Sequence, residues 1–267
     1  MIKKILFLFF TIVSSRSNKN NTKNSRNINL GKDNTVRSRN INLGKDNTVR
    51  SRNINLSKNN TVSLTKAVDD ESISTVIAEL YRIHQNKNNA NIYIYLDTPG
   101  GSVDAGNRLI ETIEYLSHSN NISCVAHHAA SMGFVILQSC PHRLGLKSSS
   151  LMQHQISTMM ADEKQRLKTY MKYMDSLEDE LISLQARRIK MSNQQFRDVT
   201  YHNWWLTGKQ ALKYNVVDEL VVVGCDKSLL ETTITANASI IPGSVAIYTN
   251  SLCPLIHKPV NIKYESI

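Results

Sequence analysis

The 267-residue chain has no apolar run near the roughly 18 residues that a membrane-spanning helix needs. It has only four cysteines, Cys124, Cys140, Cys225 and Cys253. None sits in a CxxC pair, and no His-Cys cluster has zinc spacing, so sequence spacing offers no metal site. Cys124 reads as a small buried hydrophobe within the strand-like run "ISCVAHH"; nothing in the spacing supports a disulfide or a reactive thiol. Neither GxxxxGK[ST] nor GxGxxG occurs, so no nucleotide-phosphate loop is expected and no cofactor is implied.

The body of the chain also lacks a charge excess. The whole sequence carries +10, but residues 1–60 hold 13 Lys and Arg against 2 Asp, and residues 61–267 hold 19 against 20 acids. The basicity therefore belongs to the front, and no nucleic-acid partner is expected for residues 61–267. A hydrophobic content of 41% supports a substantial core.

Four regions can be distinguished. Residues 1–16, "MIKKILFLFFTIVSSR", have a basic tip and a nine-residue apolar stretch, the shape of a secretory signal. A cytoplasmic location is the first expectation, with export or organelle targeting through residues 1–20 as the alternative. Residues 17–60 contain a 13-residue repeat, "SRNINLGKDNTVR" twice and then "SRNINLSKNNTV". Each copy has few apolar residues to offset its ordering entropy, which reads as a flexible extension. Residues 61–224 alternate strand and helix patterns, the signature of an α/β fold with mostly parallel pairing. Residues 225–267 show little pattern and are expected to form a poorly defined tail.

Within the third region, "NTVSLTKAV" predicts a strand and "DDESISTVIAELYRI" a helix capped by Asp70 or Ser72. "NIYIYLD" and "NISCVAH" predict strands, "VDAGNRLIETIEYL" and "SMGFVILQS" helices, and "SSLMQHQ" a short strand. A long amphipathic helix spans 162–190, and Thr207 is a candidate cap for "TGKQALKYN".

Three short signals carry chemistry. "TPGGS" follows a strand and precedes a helix, where bare glycine N–H groups can face a ligand or form a simple turn. Ser131 stands between small residues at the start of a buried helix, where free N–H groups and the helix dipole favour an alkoxide or an oxyanion. An N-cap is the other reading of that serine. His154 ends the strand "SSLMQH" and is a candidate base; His127 and His128 on a strand would point to opposite faces.

Together, "YLDTPGGSVDAG", "AASMG", "MQHQ" and "NWWLTGKQALKYNVVDEL" resemble, in order and spacing, the proteolytic subunit of the Clp protease (ClpP) family over about residues 61–222. The resemblance implies a ClpP/crotonase-like spiral of β-β-α units with a protruding handle helix at 162–190. It implies a serine endopeptidase with Ser131 as nucleophile, His154 as general base, and the backbone N–H groups of Gly101 and Met132 as oxyanion hole. It also implies a ring-shaped homo-oligomer that takes unfolded polypeptide from a AAA+ unfoldase. Two positions depart from the family. Asn203 stands where the triad aspartate is expected, 49 residues after His154, with Asp198 as a substitute acid. "QISTMMADE" lacks the glycines of the family's substrate-pairing stretch. A weak enzyme, or an inactive structural ring subunit, is the alternative these departures raise.

Overall fold

A computed structural model describes residues 51–86, 91–241 and 244–266. Its centre is a seven-stranded sheet. The strands are β1 (Arg52–Leu56), β2 (Thr61–Leu64), β3 (Asn91–Thr98), β4 (Asn121–Ala130), β5 (His142–Gln153), β6 (Trp204–Thr207) and β7 (Glu219–Cys225). The order is β1-β7-β5-β4-β3-β2, parallel throughout, and β6 joins β5 antiparallel. This is the mixed α/β architecture that the alternating sequence pattern implies.

One face of the sheet is covered by α1 (Asp70–Asn86), α2 (Val103–Ser117), α3 (Met132–Ser139), the C-terminal half of α4 (Lys164–Ile189) and α5 (Asn193–Thr200). In α1, Ile73, Val76, Leu80 and Ile83 recur at three- and four-residue steps and are all buried. Of the two capping residues expected, Ser72 takes part, in a reciprocal pair with Asp69. Asp69 Oδ1 accepts the N–H of Ser72, and Ser72 Oγ accepts that of Asp69. Asp70 lies one residue too far in and pairs with Arg108 instead. Ser102 caps α2 by accepting from Ala105 N–H, and Thr207 opens α6 (Gly208–Lys213) with a capping box.

The strand predicted around "SSLMQHQ" is the end of the much longer β5. Helix α5 was not anticipated, although Ser192 and Gln195 form a reciprocal capping box in front of it. The long helix expected over 162–190 is α4. Its C-terminal half buries Leu181, Ile182, Ala186 and Ile189, while Met171 and Tyr173 on its N-terminal half are exposed.

The other face of the sheet has its own apolar cluster of Ile54, Leu56, Tyr95, Val125, Leu144, Val221, Leu229 and Cys253. Two sequence expectations change here. The third repeat copy forms the edge strand β1, because Ile54 and Leu56 alternate onto this cluster while β7 supplies the ladder. The first two copies, like the hydrophobic segment 1–16, lie outside the described residues. Residues after Cys225 are not a featureless tail. They form α7 (Lys227–Leu230) and an antiparallel sheet of β8 (Thr233–Ile241), β9 (Ser244–Ser251) and β10 (Asn261–Ser266). Leu229, Leu252, Cys253 and Leu255 close over the second cluster.

All four cysteines are paired, Cys124 with Cys140 and Cys225 with Cys253. Cys124 is buried as expected, but the absence of CxxC spacing concealed its partner, which α3 returns to within 5.9 Å between Cα atoms.

Candidate active site

The site lies at the C-terminal ends of the adjacent parallel strands β4 and β5, where α/β sheets commonly bind ligands. Strand β4 ends at Ala130, and α3 begins at Met132. Ser131 makes the whole turn between them. Its φ of 53° and ψ of −121° put a non-glycine residue in a sparsely populated region. The Ser131 N–H donates to Met152 O at 2.9 Å, and the carbonyl accepts from Phe134 and Val135. The main chain is therefore fixed on both sides while the hydroxyl makes no capping bond. The N-cap function that the sequence allowed for this serine is not the one its side chain performs.

The glycine turn packs directly on the serine. Gly100 has φ 87°, and a Cβ built there would lie 2.5 Å from Ala130 O and 2.8 Å from Ser131 Cβ. Only glycine combines that backbone angle with that approach. Gly101, at φ 149°, is held against Val68: Val68 N–H donates to Gly100 O, and Ser102 N–H to Val68 O. Among the described residues, no hydrogen bond occupies the N–H groups of Gly101 or Met132. The latter is free because the first N–H groups of a helix have no internal acceptor.

His154 follows β5 directly. Ser131, Met132, Gly101 and His154 line one cavity, walled by Val135, Leu181 and Phe196 among others. Asn203 does not line it and is exposed. It lies just beyond the β5–β6 ladder. That ladder ends at the Gln153–Trp204 pair, one residue short of both His154 and Asn203. Among the described residues, no hydrogen bond joins the two. Asp198 is turned away, in a neighbouring hollow, and accepts from Gln194 Nε2 at 2.8 Å.

Glu178 was missed by sequence reasoning. This α4 carboxylate lines both hollows and accepts the Ile156 N–H at 3.1 Å, tying the segment after His154 to the helix. Only its position within a long amphipathic stripe marked it, and that signal does not single out one acid from its neighbours. The segment 154–163, where the family's glycines are missing, has no regular structure.

Comparison with known proteins identifies the family. The Clp protease family pattern matches residues 44–223. The ATP-dependent Clp protease proteolytic subunit of Streptococcus mutans is 29% identical over 168 residues, covering 60% of this chain and 83% of the relative. Those of Borreliella afzelii and Borreliella burgdorferi (there called subunit 1) are each 26% identical over 163 residues, covering 60% of this chain and 82% and 84% of the relatives. With that match spanning most of the chain, over the same strands and turns that build the cavity, the protein belongs to the Clp protease family of serine peptidases.

Proposed function

We propose that the chain is a Clp-type serine endopeptidase with Ser131 as nucleophile and His154 as general base. The observation that carries this reading is the shared cavity: a strained turn holds Ser131 in the wall of a hollow that His154, Gly101 and Met132 also line. In acylation, His154 takes the Ser131 proton as Oγ attacks the peptide carbonyl. The developing oxyanion accepts from Gly101 and Met132 N–H, and the proton passes to the departing amine. Water then attacks the acyl-enzyme, His154 removes its proton, and the carboxylic acid product leaves as Oγ is reprotonated.

Asn203 limits this chemistry. Its amide oxygen can accept from the imidazole, but it carries no charge to stabilise the imidazolium, and its NH₂ can hold the wrong tautomer. His154 and Asn203 each stand one residue past the last β5–β6 pair, which supports Asn203 as partner over Asp198, which faces another hollow. A slow peptidase is the outcome. It would work as a homo-oligomeric ring fed by an ATP-dependent unfoldase; the relatives are named as proteolytic subunits of an ATP-dependent Clp protease. A second reading, a structural ring subunit without turnover, draws its support from Asn203 and from the glycine-poor stretch "QISTMMADE".

A fluorogenic peptide and an unfolded protein substrate separate the two. Cleavage that is lost in Ser131→Ala and raised in Asn203→Asp supports the peptidase. Indistinguishable rates for wild type and Ser131→Ala would leave the structural reading.

A further inference from the structure

Asp97, His127 and His257 meet away from the catalytic cavity. Asp97 is on β3, His127 on β4, and His257 in the segment between β9 and β10. One carboxylate oxygen and two ring nitrogens lie within 4.8 Å of one another. Asp97 Oδ2 is 3.7 Å from His127 Nδ1 and 3.5 Å from His257 Nε2.

The backbone builds this convergence. The β3–β4 register breaks between Leu96 and Asp97: Leu96 pairs with Ala126, but Asp97 pairs with His128. His127 is therefore an extra residue in β4, also skipped in the pairing with β5. A bulge of this kind re-aims a side chain out of the regular alternation. Here the ring lies beside Tyr95 and faces Asp97, on the sheet face that carries the second apolar cluster. Tyr95 stays neutral, since burial and then the Asp97 charge push its phenol up to about 12.

Hydrogen bonding does not account for the cluster. Both contacts exceed the roughly 3.2 Å reach of an ordinary N–H···O bond. His127 Nδ1 is buried from solvent and has no hydrogen-bond partner. A buried polar atom in that condition is costly unless something else occupies it.

We propose that these three residues form a zinc-type divalent metal site that fastens the 252–260 segment to the sheet. The donors are two imidazoles and one carboxylate, a common zinc set. A tetrahedral ion with bonds of about 2.0–2.1 Å sets its ligands roughly 3.4 Å apart. The two carboxylate–imidazole edges need to close by only a few tenths of an ångström. Three protein ligands leave the remaining position to water. Both imidazoles bind neutral, and the carboxylate offsets half of the ion's charge. Exposed His257 gives the ion a way in.

The test uses the full-length untagged chain with its disulfides intact, stripped with EDTA and titrated with Zn²⁺ against a chromogenic chelator. The expected result is one equivalent per chain, weakened at least tenfold in His257→Gln and in Asp97→Asn, and unchanged in the control His118→Gln. His257 is the first position to vary because its exposure spares the fold. Zinc should also slow amide exchange across residues 252–260 in wild type and not in His257→Gln. No stoichiometric uptake, or equal uptake by wild type and His257→Gln, would overturn the proposal.

Discussion

Ser131 is held in an unfavourable conformation by its neighbours rather than by its own side chain. The Gly100 turn fills the space beneath it, so Gly100→Ala meets both a wrong φ and a backbone oxygen. This substitution should lower peptide turnover at least tenfold while leaving most of the fold intact, as read by kcat/KM beside far-ultraviolet circular dichroism. Asn203→Asp should act in the opposite direction, raising kcat by up to roughly 10⁴-fold, the factor by which the reverse exchange impairs a serine protease triad. Steady-state kinetics at fixed pH reads this. A fall or no change would remove Asn203 from the site. The cavity positions of Ser131, His154 and the glycine turn were legible because each is a short word at a chain reversal, where backbone geometry restricts residue choice. Glu178 was not, because one acid on a solvated helix looks like any other. Nor was the Asp97–His127–His257 group, whose members span 160 residues and meet through a bulge that leaves no trace in residue spacing.

At the scale of elements, legibility followed length and amphipathicity. Helices α1 and α2 announce themselves by apolar residues at helical steps and by capping residues. Helix α5 is only eight residues, too short for a clear stripe, although Ser192 and Gln195 were a usable signal. Strand β1 was hidden because its copies look alike and polar. Its two apolar residues suffice only because a finished cluster awaits them. A chain beginning at Lys58 should therefore be less stable than one beginning at Ser51 by about 3–6 kcal/mol, the worth of burying one isoleucine and one leucine. Urea unfolding of the two shortened chains measures the difference; equal midpoints would show that β1 contributes nothing. The antiparallel sheet β8–β10 was unreadable for a related reason. Exposed Ile234, Ile262 and Tyr264 blur the alternation that marks a one-sided strand.

The whole molecule depends on a few long-range ties. Arg143, with its side chain only 5% exposed, donates to Asp218, to Gln138 Oε1 and to the Arg188 main-chain carbonyl. Burial alone would raise the Asp218 carboxyl, but the hydrogen bonds and charge of Arg143, then Arg188, hold it below the usual value of 3.8. A depressed folded-state pKa adds stability that is present above the unfolded value and lost as pH falls through the folded one. Stability should therefore decline below about pH 4, and Asp218→Asn should flatten that acid limb. The same variant should cost about 2 kcal/mol near neutrality, less than for a fully buried pair because Asp218 is 42% exposed. Denaturant titrations across pH test both signs. The Cys225–Cys253 bridge ties β7 to the segment before β10 and closes a 28-residue separation. Reducing it should cost about 3–4 kcal/mol on a chain-entropy estimate. Calorimetry with and without reductant, compared in Cys253→Ser, assigns the loss to this bond.

The central claim is that Ser131 is an activated nucleophile, and covalent capture tests it most directly. The protein is incubated with a fluorophosphonate, and intact mass and peptide mapping locate any adduct. The account predicts a single modification on Ser131, slowed strongly in His154→Ala and accelerated in Asn203→Asp. A wild-type protein that stays unmodified while a control serine protease reacts, or one labelled at the same rate without His154, would contradict it.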